Sequence, residues 1–208
     1  MTERFPGYDV MAKRHTPSWN EVTRRVIDQR LAMAREPAFF NPDEWPTLNA
    51  VAARIVPQPG SRPPVPLAAM VDEKMAHDRT DGYRNALLPK MQEAWRRGLH
   101  ALDVDARAQY GARFHRLGRA EQDALLTAMQ RGELTGPAWQ DMSCRLFFQE
   151  RVLHDIVCAY YAHPTSWNEI GFGGPASPRG YVRMGLNKRD PWEAAESTPA
   201  GPDATRGR

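Results

Sequence analysis

Two histidines and a carboxylate in the last third of the chain have side chains that could bind a metal ion. His154 and Asp155 are adjacent, and His163 follows later in the chain. Imidazole and carboxylate groups are common ligands of zinc and iron. Adjacent residues of a helix point about 100° apart, however, so His154 and Asp155 would not easily face one ion. The chain also lacks the H-x-x-x-H, H-E-x-x-H and C-x-x-C spacings.

Two interpretations of these residues stay open. In the first, His154 is a buried histidine and His163 caps the C-terminal end of a helix, where a cation complements the helix dipole. In the alternative, the chain is a stand-alone metal-dependent enzyme that uses His154, Asp155 and His163.

Other catalytic chemistry has less support in the sequence. Gly171–Gly174 is rich in glycine, but no predicted strand precedes it, and Pro175 blocks the helix start that a dinucleotide-binding loop requires. Ser166 and Ser177 lie in predicted loops near prolines, and no nucleophile turn surrounds them. The pairs Asp72-Glu73 and Asp103/Asp105 are interpreted as solvated helix faces and caps. We therefore expect no catalytic, cofactor-binding or metal-binding residue in this chain.

The two cysteines, Cys144 and Cys158, fall within one predicted helix. Fourteen residues at the rise of an α-helix place them about 21 Å apart, far beyond the reach of a disulfide. We expect both to be small buried hydrophobic residues, with a bond to a partner's cysteine as the alternative.

The most unusual segment is His163–Met184, HPTSWNEIGFGGPASPRGYVRM. It combines glycines and prolines with aromatic residues, which a disordered linker would not carry. Long ordered loops are usually functional, and Trp, Tyr and Arg dominate binding energy at interfaces. The segment is therefore predicted to contact a partner, and the alternative is a loop that closes the core of its own chain. The predicted contact residues are His163, Trp167, Asn168, Phe172, Pro175, Arg179 and Tyr181.

The elements that must position these residues are helices. No segment shows the period-2 alternation of a strand, whereas several show apolar residues every three to four positions. The predicted fold is all-α: a single irregular bundle of five or six helices with long Pro/Gly-rich connectors and an extended C-terminal segment. The predicted helices are Ser18–Glu36, a helix that starts at Asn41-Pro42 and stops at Pro57, Leu67–His77, Leu87–Ala108, Arg119–Gln130 and Ser143–Tyr161.

The ends of these helices have specific signals. Thr16 and Pro17 are predicted as the N-cap and first residue of the first helix, and Gly111 and Gly132 as C-caps. The predicted apolar stripe of the first helix consists of Trp19, Val22, Val26, Ile27 and Leu31. The predicted organisation is an N-terminal arm at 1–15, a helical subunit domain at 16–193 and a disordered tail at 194–208.

Composition limits the possible partners. The net charge is only +3, from 28 basic and 25 acidic residues, and the arginines are scattered among the acids. Nucleic-acid binding, which requires a clustered basic face, is therefore not expected. There is no run of about 18 apolar residues for membrane insertion. Arg24-Arg25 is not followed by the apolar stretch of a twin-arginine signal, so the chain's own signals predict a cytoplasmic location.

Four stretches resemble the gluconate 2-dehydrogenase subunit 3 family, the small subunits of flavin-dependent sugar dehydrogenase complexes. They occur in the family's order between about residues 39 and 183. The most specific is FFQERVLHDIVCAYYAHPTSWNEIGFGGPASPRGY, and the others are AVAARIVP from Ala50, GLHALDVDARAQYG at 98–111, and Phe114–Gly132.

The resemblance implies an accessory subunit with no catalytic residues and no cofactor of its own. In the family, the large partner belongs to the glucose–methanol–choline oxidoreductase family and carries flavin adenine dinucleotide (FAD). Electrons then pass onward, often to a multihaem c-type cytochrome. The small subunit is implied to bind, stabilise and mature the large one, and sometimes to export it.

This sequence departs from the family pattern in two places. Many members start with a twin-arginine signal, which is not found here, so the alternative location is the periplasm by co-export with a partner that carries the signal. Many members also end in a Y-G-G-N-type motif, where this chain has Gly171–Gly174 followed by a Pro-Arg-Gly-Tyr extension. Gluconate itself is therefore a poor prediction for the substrate of the complex.

Overall fold

The computed structural model describes residues 4–33, 36–60, 63–180 and 189–197. These residues form eight α-helices and no strand, which confirms the predicted all-α class. Short 3₁₀ helices occur at Val10–His15, Phe114–Arg116 and Pro137–Trp139. The α-helices are α1 Glu21–Leu31, α2 Glu44–Ile55, α3 Leu67–Ala76, α4 Met91–Tyr110, α5 Arg119–Arg131, α6 Cys144–Phe147, α7 His154–Ala162 and α8 Pro164–Ile170.

The helix count in the described residues exceeds the predicted five or six for two reasons. The predicted helix Ser143–Tyr161 is divided into α6 and α7 by a π-helical turn at Phe148–Leu153. Helix α8 lies in a segment that was predicted to be irregular. A π turn holds an extra residue relative to an α turn, so it changes which residues of α7 share a face with those of α6.

The chain forms two compact units. Unit 1 consists of Met1–Ala32 and His163–Arg208, and unit 2 of Met33–Ala162. The predicted boundaries of the arm, the helical domain and the tail stay predictions. Residues 198–208 of the predicted tail lie outside the described residues.

Helix α4 provides the centre of the core of unit 2. Its Trp95 and Leu99 are buried, and the Trp95 ring meets Phe147 edge to face, with ring centroids 5.5 Å apart. Gly98 lies against the same ring: a Cβ at this position would be 2.2 Å from Phe147 Cζ. A side chain here would force the two helices apart, so the glycine permits their close approach.

Several helix ends in unit 2 follow their sequence signals. The Asn41 side chain accepts hydrogen bonds from the Asp43 and Glu44 amides at the start of α2, both at 2.9 Å. Gly111 and Gly132 end α4 and α5 in left-handed backbone conformations, as predicted. Only glycine adopts this conformation without steric cost, which explains why the sequence identifies these ends.

Buried carboxylates connect elements that are distant in the sequence, and this corrects the interpretation of Asp72, Asp103 and Asp105 as solvated. Asp72 accepts hydrogen bonds from three consecutive backbone amides, at 38–40. Asp103 accepts from the Phe114 amide, and Asp105 from the Trp139 indole at 2.7 Å. All three carboxylates are buried, and hydrogen bonds within the fold satisfy their oxygens there.

Helix α1 of unit 1 differs from its prediction. It begins after Asn20, whose side chain caps the Thr23 amide at 2.8 Å, so the predicted start at Thr16 and Pro17 is wrong. Thr16 instead ends the preceding 3₁₀ helix. The competing cap four residues later prevails because its side chain satisfies a first-turn amide.

The predicted apolar stripe of α1 is only partly buried. Trp19 and Ile27 belong to the core of unit 1, whereas the other three members are exposed, at 62% for Val22, 40% for Val26 and 44% for Leu31. Thr23 lies on the buried face instead. Among the described residues, the apolar cluster of unit 1 consists of Val10, Trp19, Ile27 and Trp167, with Tyr8 and Met11 packed at its edge.

None of the helices in the described ranges combines the length and the apolar composition that a membrane span requires.

Candidate partner-binding surface

The predicted contact segment starts with helix α8 of unit 1. His163 is the N-cap of this helix, and its Nδ1 accepts the Thr165 amide at 3.3 Å. Pro164 is the first helical residue, and Gly171 ends the helix in a left-handed conformation. Helix α7 ends at Ala162, directly before His163, and the prediction that His163 caps the C-terminal end of that helix stays a prediction. A histidine followed by proline is well suited to start a helix, since proline needs no amide partner there.

Most predicted contact residues within α8 make contacts inside unit 1. His163 is buried, and Trp167 is 2% exposed and packs in the core of the unit. The Asn168 side chain is half-buried and accepts the Val10 amide at 2.8 Å. These contacts agree with the alternative in which the segment closes the core of its own chain.

The residues after α8 are held against the N-terminal part of unit 1. The Tyr8 hydroxyl donates to the Phe172 carbonyl at 3.2 Å, and the Lys13 ammonium donates to the Gly173 carbonyl at 2.6 Å. Burial lowers the pKa of Lys13, against the opposing effect of Glu193 and Asp190. The part of the segment that the structure describes, up to residue 180, is therefore an ordered surface.

Phe172 is the most accessible of the predicted contact residues that the structure describes. It is 44% exposed, and the adjacent helix end contributes Ile170 at 45%. The Phe172 ring rests edge to face on Trp167, with ring centroids 5.4 Å apart. An exposed aromatic ring that is fixed from behind loses little conformational entropy on binding.

The structure gives less support for a partner contact at the remaining predicted contact residues. Pro175 and Arg179 are half-buried. Arg179 pairs with Asp190 at 3.0 Å and lies over the Trp192 ring. Tyr181 lies outside the described residues. That these seven residues contact a partner stays a prediction, and Phe172 is the member best placed to do so.

The polar residues of unit 2 that resembled a metal site form a network of ion pairs. Asp81, His154 and Asp155 place their ligand atoms within 4.8 Å of one another. Asp81 was missed by sequence reasoning because it lies in a distant loop, and His163 is not part of this group. The Lys74 ammonium lies between the two carboxylates, 2.6 Å from Asp81 Oδ1 and 2.8 Å from Asp155 Oδ1.

A second cation balances the network. Arg151 Nη1 lies 3.2 Å from Asp81 Oδ2 and 3.6 Å from Asp155 Oδ2. Two cationic side chains therefore match two carboxylates, and the Lys74 ammonium contacts both of them. The arrangement fits a structural network better than the metal-dependent enzyme of the alternative interpretation.

The network also shifts the ionisation of its members. Burial alone would raise the pKa of Asp81, but its hydrogen bonds and charge interactions with Lys74 and Arg151 outweigh this and lower the pKa. Burial opposes the charge of Lys74, but its contacts with Asp155 and Asp81 raise its pKa. Both groups are thus held in their charged forms.

Acid is expected to weaken unit 2 partly through Asp81. Because its pKa is lower in the fold than in the unfolded chain, Asp81 stabilises the fold fully above about pH 4–5 and loses this effect as the pH falls through the folded value. Urea unfolding between pH 7 and pH 2 measures the effect. The variant Asp81→Asn should be less stable at pH 7 and lose less stability in acid. An acid slope identical to that of the unmodified chain would contradict the lowered pKa.

Comparison with protein-family models places these features in context. The model of gluconate 2-dehydrogenase subunit 3 matches residues 42–174. The chain belongs to this family. Comparison with the curated proteins gave no match, and neither did comparison with the solved structures.

Membership of the gluconate 2-dehydrogenase subunit 3 family confirms the resemblance noted in the sequence. The matched range contains all of α2 to α8 and ends at Gly174. It therefore includes Phe172 and the end of α8, and it stops before Pro175 and Arg179. The family is one of subunits of a dehydrogenase complex, so the chain has partner subunits.

Proposed function

We propose that this chain is a non-catalytic subunit that binds, stabilises and matures the FAD-containing large subunit of a dehydrogenase. The family match over residues 42–174 carries this proposal. The expected partner belongs to the glucose–methanol–choline oxidoreductase family, and the expected substrate class is a sugar, a sugar acid or a glycoside. The flavin would lie in the partner, with a c-type cytochrome as a further candidate partner.

Internal pairing of the polar clusters supports a non-catalytic role. In the part of the chain that the structure describes, the group of potential metal ligands is matched by Lys74 and Arg151. The buried Asp72 and Asp103 are satisfied by backbone amides. These carboxylates hold the fold together, so their presence does not require a reaction.

The accessible part of the contact segment supports a docking role. Phe172 and Ile170 expose apolar surface at the end of α8, where Gly171 turns the chain. Trp167 fixes the Phe172 ring from the inner side. Aromatic anchors that are rigid before binding are typical of the residues that carry binding energy at protein interfaces.

Co-expression tests the proposal directly. The large flavoprotein subunit that we expect to be encoded beside this chain is produced with and without it, and soluble protein with bound flavin is measured by absorbance. We expect most of the soluble flavoprotein to be lost without this chain, and the two chains to elute together in size-exclusion chromatography. An unchanged yield without this chain, or the lack of a large flavoprotein gene beside it, would count against the proposed function.

A matched pair of variants locates the contact. Phe172→Glu is expected to weaken the complex, because a charge would replace an apolar anchor. Tyr110→Glu is the control, since Tyr110 is also an exposed aromatic residue but lies in unit 2 at the end of α4. Equal effects of the two variants on co-elution would mean that Phe172 is not a specific contact.

A further inference from the structure

A cysteine and a histidine lie side by side on the exposed face of α7. The Cys158 Sγ is 3.8 Å from His154 Nε2, one helical turn earlier. Both residues are exposed, so the prediction that Cys158 and His154 are buried is wrong, and a small molecule can reach the thiol. At this separation the thiol is within the distance at which sulfur donates a weak hydrogen bond to a ring nitrogen.

The other nitrogen of His154 is held by a fixed carboxylate. His154 Nδ1 lies 3.2 Å from Asp155 Oδ1, and the Asp155 side chain is fully buried. Asp155 is itself held by Lys74, by Arg151 and by the Trp95 indole, which donates to Oδ2 at 2.8 Å. A carboxylate acceptor at Nδ1 favours the tautomer with its hydrogen there, and this leaves the Nε2 lone pair directed at the thiol.

The charges around His154 balance one another. The charged groups that face it are Lys74 and Arg151, whose positive charges match the negative charges of Asp81 and Asp155. An imidazolium at His154 would lie 3.2 Å from Asp155 Oδ1 and 4.0 Å from Asp81 Oδ2. Two carboxylates therefore lie close to the ring that would receive the thiol proton.

We propose that Cys158 is a nucleophilic thiol that reacts with small-molecule disulfides, with His154 as the base and Asp155 as the residue that positions it. His154 Nε2 takes the thiol proton, and the thiolate attacks one sulfur of the disulfide. A sulfur–sulfur bond forms at Cys158 Sγ while the bond of the small disulfide breaks. The departing thiolate takes the proton from His154. Cys158 is oxidised to a mixed disulfide, and half of the small disulfide is reduced to a thiol.

The second cysteine provides an internal comparison. Cys144 is buried at the start of α6, and its thiol donates to the Met129 carbonyl at 3.6 Å. Burial raises the pKa of the Cys144 thiol, which suppresses the thiolate. A thiol reagent should therefore modify Cys158 but not Cys144 in the folded chain, and both cysteines after unfolding.

The reaction of the full chain with oxidised glutathione tests the site. Peptide mass spectrometry is expected to find the mixed disulfide at Cys158 in the folded protein and at both cysteines in urea. The rate of reaction with Ellman's reagent, an aromatic disulfide, should be higher for Cys158 in the folded chain than in the unfolded chain. Folded Cys158 reacting no faster than in urea would overturn the proposal.

A matched pair of histidine variants tests whether His154 acts as the base or has only a structural role. His154→Gln is expected to slow the reaction of Cys158 about tenfold to a hundredfold near pH 7 and to leave a rate that rises only in alkali. His77→Gln, at an exposed histidine at the end of α3, should keep the rate and the pH profile of the unmodified chain. If His154→Gln folds normally and keeps that rate and profile, His154 is not the base and the proposal fails.

Discussion

Replacing Asp155 with alanine is expected to lower the free energy of unfolding by about 3–5 kcal/mol. The side chain is fully buried and pairs with Lys74 and Arg151, so its removal leaves two cations without this partner inside unit 2. The Trp95 indole also loses its acceptor. Since whole domains are stable by only about 5–15 kcal/mol, this single change removes much of the total. Urea unfolding followed by circular dichroism measures it.

Two further variants test whether the loss of stability is specific to the buried ion-pair network. Asp123→Ala breaks a surface ion pair with Arg54, in which the Asp123 side chain is 50% exposed, and should cost less than about 1 kcal/mol. Asp155→Asn keeps an acceptor for Trp95 but removes the charge, and should fall between the two. Equal losses for Asp155→Ala and Asp123→Ala would show that the buried network does not stabilise the fold.

Replacing Trp167 with alanine is expected to destabilise unit 1 by about 3–5 kcal/mol. Trp167 is one of the four buried residues of the apolar cluster in that unit among the described residues, and it also carries the Phe172 ring. So small a core cannot fill the space left by an indole. Hydrogen exchange at α1 and α8 is the suitable measurement, because it reports on unit 1 separately from unit 2.

Phe172→Ala is the matched control for this change. Its side chain is 44% exposed, so the isolated chain should lose about 1 kcal/mol or less. Under the proposed function this variant nevertheless weakens the complex with the large subunit. Trp167→Ala with unchanged protection of α1 would contradict the core position of Trp167. Phe172→Ala with unchanged affinity for the large subunit would count against Phe172 as the anchor.

Much of the secondary structure can be predicted from the sequence, because its signals are local. The glycines that end α4 and α5 adopt a backbone conformation that other residues avoid, so their positions indicate the ends directly. The start of α2 is likewise recognisable from Asn41, whose side chain bonds amides two and three residues later. The family, too, is recognisable from the segment that starts at Phe147.

Some local signals competed, and the sequence alone did not show which would prevail. Thr16-Pro17 and Asn20 are both plausible helix starts, and the structure uses Asn20. His163-Pro164 starts α8, although the prolines and glycines around it favoured an irregular segment. Such choices depend on what the new helix packs against, because a short helix gains little stability from its own hydrogen bonds.

The sequence by itself determined the helical class, several helix ends and the family of this chain. The tertiary structure decided which faces are buried: Thr23 inside and Val22 outside on α1, and Trp167 inside with Phe172 exposed. It also decided the partners of the charges, since Asp81 meets His154 and Asp155 only when its loop is placed against α7. The physical reason is that hydrogen bonds of caps and turns join neighbours in the chain, whereas burial and ion pairing depend on residues far away in the sequence.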